Sequence, residues 1–284
     1  MKTIGQVLKL ACQYLESKNA SQGRLEAEHL IANTLGLKRL DLYLRFDAPL
    51  TENELESIRV RLTRLAKGEP LAYIEGTVSF YNVELNVDRR VLIPRPETEL
   101  LVEAVLKRLQ GSDLQGKQLW DICTGSGCIG LAIKKALPDL SVTLSDLSSD
   151  ALIVANENAK RNALAVKCVE GDLLAPFQAQ KADFVVCNPP YIAMSDFQKL
   201  DSHVRDFEPK GALTSGSTGF EIYERLSSEL PSVLNPGAIV WLEIGAGQAE
   251  MLRALFSGAG FTDINTYRDY GQHERILELH FTKV

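Results

Sequence analysis

Four consecutive residues, Asn188-Pro189-Pro190-Tyr191, bring together groups able to hold a planar nitrogen. The Asn carboxamide offers an acceptor oxygen, the proline carbonyls are free acceptors, and the Tyr ring supplies a flat apolar wall. They follow Ala182-Asp183-Phe184-Val185-Val186-Cys187, a short apolar run that reads as a buried strand. Neither proline has an N–H to give to a sheet ladder, so the strand stops there and leaves Asn188 at its C-terminal edge. Open α/β sheets bind their ligands at that edge. Such a pocket suits a group bearing –NH2, whether a carboxamide or the exocyclic amine of a base. A Pro-rich turn that merely ends a strand would use the same residues.

Upstream, Gln118-Leu119-Trp120-Asp121-Ile122 reads as a strand, followed by Cys123-Thr124-Gly125-Ser126-Gly127-Cys128-Ile129-Gly130 and an apolar helix expected over 131–137. Gly125, Gly127 and Gly130 satisfy G-x-G-x-x-G between a strand and a helix. Glycines there let the backbone turn tightly and approach a ligand, and the helix N-terminus offers free N–H groups. A second strand over 141–145 ends in Asp146, where an acid can accept both hydroxyls of a ribose. Asp121, just ahead of the first glycine, would repel a pyrophosphate but suits a ligand carrying an amino group and a sulfonium. A third strand over 165–169 leads to Gly171-Asp172-Leu173-Leu174. Asp172 is placed to accept from an adenine amine and Leu173 to cover its ring, although a turn cap would also use that Asp.

Asp121 to Gly127, Asp146, Asp172 and Asn188 to Tyr191 resemble the motifs of S-adenosylmethionine-dependent methyltransferases that act on planar nitrogen. More specifically, the whole chain resembles the HemK/PrmC family, the glutamine N5-methyltransferases of peptide chain release factors. That closer likeness is carried by Glu69-Pro70-Leu71-Ala72-Tyr73-Ile74 and by Val91-Leu92-Ile93-Pro94-Arg95-Pro96-Glu97-Thr98-Glu99. Glu208-Pro209 with Ala212-Leu213, and Asp269-Tyr270-Gly271 with Arg275, add to it. The resemblance implies S-adenosylmethionine as cofactor, held by Asp121, Cys123, Thr124, Gly125, Ser126, Gly127, Asp146, Asp172, Leu173 and Asn188. It implies methylation of the glutamine in the Gly-Gly-Gln motif of release factors. Asn188, Pro189 and Tyr191 would act on the amide, and Pro190, Glu97 and Thr98 would also meet the substrate. Two positions depart from the family pattern. Cys123 stands where Gly is frequent, but it is small and only its backbone need face the ligand, so function is expected to survive. Thr218 precedes Gly219 where an acid is frequent, and no role is assigned to it.

Composition agrees. A chain of 284 residues, 45% hydrophobic, can bury a large core and split into a large and a small domain. Its net charge of −6 counts against a partner bound mainly through phosphates, so direct nucleic-acid binding is not expected. The five cysteines show neither C-x-x-C nor zinc spacing. No metal site is expected, and their placement in apolar strands predicts reduced, buried thiols of a cytoplasmic protein. No run approaches 18 apolar residues and the N-terminus lacks an apolar h-region, so neither membrane spanning nor secretion is expected.

Periodicity divides the chain into three. Residues 1–75 read as a helical domain: Ile4, Val7, Leu8, Ala11 and Leu15 share one face, a second helix runs near 25–35, and Thr51 with Glu54 forms a capping box. Such a domain would recognise a protein substrate or cover the active-site mouth, or be a passive addition. Residues 76–92 alternate as a β-hairpin linker with Val83, Leu85 and Val87 on one face. Residues 93–284 alternate strand and helix, and the resemblance implies that they form the methyltransferase domain; Glu97 and Thr98 would suit an ordinary helix start before a helix over 99–109, but the resemblance implies a loop lining the site. Strands are expected near 118–122, 141–145, 166–169, 182–187, 238–244, 262–268 and 275–281. The fold class is therefore α/β, with seven strands ending in an antiparallel edge hairpin and a small helical domain ahead of them; that sheet resembles the Rossmann-like methyltransferase sheet. A monomer suffices.

An amide nitrogen is a poor nucleophile and a very weak acid, and none of the four histidines falls within the motifs. Catalysis should rest on positioning and electrostatics. Two further readings stay open. An adenine-amino (N6) methyltransferase acting on DNA or RNA would present a flipped base to the same box. A nicotinamide-binding or non-catalytic domain would leave Asp121 and Asn188 to Tyr191 unexplained.

Overall fold

The computed structural model describes residues 1–18 and 23–282. The first helix, α1 (Ile4–Glu16), starts at Thr3, whose hydroxyl accepts from the Gln6 N–H while the Gln6 side chain accepts from the Thr3 N–H. Its face of Ile4, Val7, Leu8, Ala11 and Leu15 is buried, as the spacing predicts. Helices α2 (Gly23–Thr34), α3 (Arg39–Leu44), α4 (Glu52–Leu65) and α5 (Leu71–Glu75) follow. The Thr51–Glu54 capping box forms at the start of α4. Leu15, Leu30, Ile31, Leu42 and Ile58 make the core of this helical part. Helices α3 and α5 go unannounced by periodicity, because neither is long enough to show a helical period.

Strands β1 (Thr77–Phe80) and β2 (Val83–Asn86) pair antiparallel as the hairpin. Expected to be a linker, it joins a larger core instead: Phe80, Val83 and Leu85 are buried against residues of the sheet's covering helices. The remaining elements are α6 (Pro96–Leu109), β3 (Gln118–Ile122), α7 (Cys128–Ala136), β4 (Ser141–Asp146), α8 (Ser149–Arg161), β5 (Lys167–Glu170), β6 (Ala182–Cys187), α9 (Met194–Phe197), α10 (Ser202–Arg205), α11 (Glu221–Glu229), β7 (Leu234–Glu243), α12 (Ala249–Gly258), β8 (Phe261–Arg268) and β9 (Glu274–Phe281). Two compact units divide the chain: Met1–Gly76 with Asp201–Phe207, and Thr77–Leu200 with Glu208–Val284.

The larger unit is a mixed α/β fold around a seven-stranded sheet of order β5-β4-β3-β6-β7-β9-β8. All pairings are parallel except those of β9, which runs antiparallel to both β7 and β8. The sheet is covered on both faces. Alternation along β3 sends Leu119 into one core layer and Trp120 and Ile122 into the other. The chain winds outward from β3 to β5 and then returns to β6 beside β3, so the switch point lies between β3 and β6. Ligands of open α/β sheets lie at the carboxyl ends of such a pair. Both sequence motifs emerge there.

Two expectations change at this level. Cys128 and Cys187 are buried, but Cys12 and Cys123 are only half-buried and Cys168 is exposed, because β5 is an edge strand. Glu97 and Thr98 belong to the first turn of α6 rather than to a loop. Pro96 opens that helix at its first position, where a missing N–H costs nothing. Among the described residues, no helix is long and apolar enough to cross a membrane.

Candidate active site

A cavity of ≈ 460 Å³ opens at the carboxyl edge of the sheet. It lies within the range of small-molecule sites. The successive ends of β4, β3 and β6 bring Asp146, the 123–126 loop and Asn188 to its wall. Thr98, Asp172, Leu173 and Pro190 complete the expected lining, joined by Arg90, Arg95 and Leu147, which carried no expectation. Asp121, Gly127, Pro189, Tyr191 and Glu97 are not part of that lining.

The glycine loop is held from three sides. The Gly125 N–H donates to Asp146 Oδ2 at 2.8 Å, tying the loop to the tip of β4. The fully buried Asn158 of α8 donates to the carbonyls of Ser126 at 2.9 Å and Asn86 at 3.0 Å, linking loop to hairpin. Behind the loop, Asp121 Oδ2 accepts from Thr124 Oγ1 at 2.6 Å and from the Gly130 N–H at 2.9 Å. A Cβ on Gly130 would stand 2.3 Å from Leu144 Cδ2 and 2.9 Å from Asp121 Oδ2, so the third glycine permits α7 to approach the sheet. The apolar helix thus starts at Cys128, three residues earlier than expected.

Asp121 therefore sits behind the cavity wall and organises the loop. It has no exposed surface, and burial pushes its carboxyl up to about 7. Its Oδ1 meets no donor among the described residues, and neither do the Ser126 and Ser145 hydroxyls find a partner there. Cys123 has φ +57°, the left-handed region. Glycine would suit that position for its backbone freedom, which side-chain size alone did not reveal. Asp146 accepts from the Ser148 N–H at 2.9 Å besides Gly125, and burial raises its pKa. Asp172 is exposed and pairs with Arg225 at 2.9 Å, while Leu173 is buried at the cavity wall.

On the β6 and β7 side, Asn188 is half-buried and its Nδ2 donates to Thr98 Oγ1 at 3.4 Å. Thr98 in turn donates to Glu243 Oε2 at 2.7 Å. Glu243, at the end of β7, is 3% exposed; burial raises its pKa to about 7, while the hydrogen bond from Thr98 and the charge of Arg275 oppose the shift. Sequence reasoning missed it: it is one carboxylate within an apolar strand, though its place at the same sheet edge was a usable signal. Tyr191 is half-buried, and burial, with Glu243 adding to it, pushes its phenol up to about 12. Gln248 Nε2 donates to the Tyr191 carbonyl at 3.3 Å and to that of Gly219 at 3.4 Å. Thr218 Oγ1 accepts from the Phe220 N–H at 3.2 Å, and Glu221 accepts from the N–H groups of Ser217, Thr218 and Gly219. Glu208, 5% exposed, accepts from the Ile93 N–H at 3.1 Å and pairs with Arg95 at 2.7 Å, fixing the 91–95 wall.

The donor set suits a nucleoside carrying an amino acid group. The carboxylates at β4 and after β5 would suit hydroxyls and an amine, the buried Leu173 would suit a ring, and an orphaned buried carboxylate oxygen adjoins the loop. Gly125 and Gly127, at φ +53° and +83°, give the loop the left-handed turns that carry its backbone past the cavity.

Residues 96–205 match the profile of the Methyltransferase small domain, and residues 6–76 match that of the PrmC N-terminal domain. The Release factor glutamine methyltransferase of Geobacter sulfurreducens is 40% identical over 275 residues, covering 97% of this chain and 95% of its own. Its counterpart from Chlorobaculum tepidum is 38% identical over 284 residues, covering 97% and 96%. Among solved structures, a methyltransferase from Pyrococcus furiosus superposes with a TM-score of 0.53 at 17% identity, covering 82% of this chain and all of its own, a likeness of fold.

Proposed function

The chain belongs to the release factor glutamine methyltransferase family, and from that premise we propose that it methylates the side-chain amide nitrogen of the glutamine in the Gly-Gly-Gln motif of a peptide chain release factor. The observation that carries this reading is the adjacency of two loops at the switch point, with Asn188 beside the glycine loop in one cavity.

Bound S-adenosylmethionine supplies an electrophilic methyl group on a sulfonium. Asp146 would hold the ribose hydroxyls, Leu173 would cover the adenine, and Asp172 would accept from its amine with the oxygen not turned to Arg225. The backbone of 123–127 would receive the amino acid portion, and Asp121 keeps that backbone in place. On the acceptor side, the Asn188 oxygen and the Pro189 carbonyl would accept from the two N–H bonds of the glutamine amide. That arrangement aims the nitrogen lone pair toward the donor and leaves no step to a strong base. Tyr191 would lie against the amide plane and limit access of water, and Glu97, exposed in the first turn of α6, would meet the substrate. After transfer the nitrogen is far more acidic and its proton can pass to solvent. The helical unit would recognise the release factor.

Label transfer tests the assignment: the protein is incubated with methyl-labelled S-adenosylmethionine and either a purified release factor or DNA and RNA. Label on the release factor alone is expected. Label on nucleic acid with none on protein would move the assignment to an adenine-amino methyltransferase. In parallel, S-adenosylhomocysteine should raise the Tm and NAD should not.

A further inference from the structure

We propose that Glu243 is a positioning residue for methyl transfer: through Thr98 it fixes which end of the Asn188 carboxamide faces the acceptor amide. The inference rests on the proposed function and names a residue at that same site. A carboxamide is nearly symmetric in shape, so packing alone does not decide whether its oxygen or its –NH2 faces a ligand. Only the oxygen can accept from a glutamine –NH2; the reversed group would set donor against donor.

The hydrogen-bond chain decides the matter here. Asn188 Nδ2 donates to Thr98 Oγ1, and Thr98 spends its own proton on Glu243 Oε2 at 2.7 Å. An ionised carboxylate can only accept, so it fixes the direction of both bonds, commits the –NH2 to Thr98 and leaves the Asn188 oxygen as the end free to accept from a ligand. Glu243 reaches this position because β7 lies beside β6, so their ends are neighbours. Its main-chain carbonyl accepts from the buried Tyr223 hydroxyl of α11 at 2.7 Å, which holds the strand end in place. The buried carboxylate has no Lys or Arg within ion-pair distance among the described residues. The charged and titratable groups acting on it are Glu97 of α6, Cys128 of α7, Arg275 of β9, Tyr191 and Tyr223. Protonated, Glu243 becomes a donor and the direction of the chain is lost.

The test measures single-turnover methylation of a release factor from pH 5.5 to pH 8.5 with wild type, Glu243→Gln and Thr98→Val, alongside S-adenosylhomocysteine affinity and Tm. The carboxamide introduced by Glu243→Gln can offer Thr98 either its oxygen or its –NH2, so it no longer enforces one direction on the chain. The expected result is a rate lowered about 10- to 100-fold in Glu243→Gln, with cofactor-product affinity within about twofold of wild type. The wild-type rate should climb with pH to a plateau, and Glu243→Gln should lack that limb. Thr98→Val, which breaks the chain without removing the carboxylate, should lower the rate to a similar degree. An active wild type whose rate and pH limb persist in Glu243→Gln would overturn the role given to Glu243 and leave the proposed function intact. Wild type that transfers no methyl to the release factor would overturn the proposed function itself.

Discussion

Replacing Gly219 by Ala should displace the Asn188 to Tyr191 segment while leaving the cavity intact. Gly219 has φ +84°, and a Cβ built there stands 2.5 Å from the Tyr191 carbonyl oxygen and 3.2 Å from the Ala193 N. Both obstacles are backbone, so no side chain can swing aside. The left-handed conformation costs an L-residue about 1–2 kcal/mol, and overpacking adds about 1–3 kcal/mol. The sum, about 2–5 kcal/mol, would show as a lower urea midpoint. Restoring an ordinary contact of 3.4 Å from 2.5 Å moves the Tyr191 peptide by about 0.9 Å, and a misplacement near 1 Å costs on the order of 10²-fold in rate. Gly219 does not line the cavity, so S-adenosylhomocysteine should bind the variant with near wild-type affinity. A variant with wild-type stability and kcat would refute the reasoning that this glycine fixes the Asn188 to Tyr191 segment.

Gly130→Ala gains about 1 kcal/mol of helix propensity but places its methyl 2.3 Å from Leu144 Cδ2, where overpacking costs about 1–3 kcal/mol, so a net loss of up to about 2 kcal/mol is expected by urea unfolding. Asp121 has a folded pKa of about 7 against a reference of 3.8, so the folded state binds the extra proton and its stabilising effect is lost as pH rises from about 4 through 7. Asp121→Asn removes that loss and should gain about 2–3 kcal/mol on wild type between roughly pH 5 and pH 8; parallel pH curves would contradict it. Cys123→Gly relieves a left-handed residue at φ +57° and should be neutral to about 1 kcal/mol stabilising with activity retained. A loss above about 1 kcal/mol would mean that packing of the thiol outweighs the backbone strain.

Much of this site was legible in the sequence because its parts are local. The 118–130 segment declares a strand, a turn and a helix through alternation and glycine placement, and two prolines after Cys187 mark a strand end unambiguously. What escaped was non-local. Glu243 acquires meaning only from Thr98, 145 residues earlier in the chain. Asp121 was read as facing a ligand because it lies near the strand end, yet strand alternation and the close approach of α7 bury it behind the loop. Asp201–Phe207 groups with the helical unit although it lies far along the chain from Gly76, and no local pattern reports that return. Cys123 shows the limit of substitution by size, since the requirement there is a backbone angle.

The most direct measurement is peptide mass spectrometry of a release factor after incubation with the protein and S-adenosylmethionine. The substrate would be wild type or a variant lacking the Gly-Gly-Gln glutamine, and the enzyme wild type or Asn188→Ala. The account predicts one methyl group on that glutamine, none on the replaced substrate, and a rate lowered by on the order of 10²-fold or more with Asn188→Ala. A methyl group on another residue, or undiminished transfer by Asn188→Ala, would contradict it.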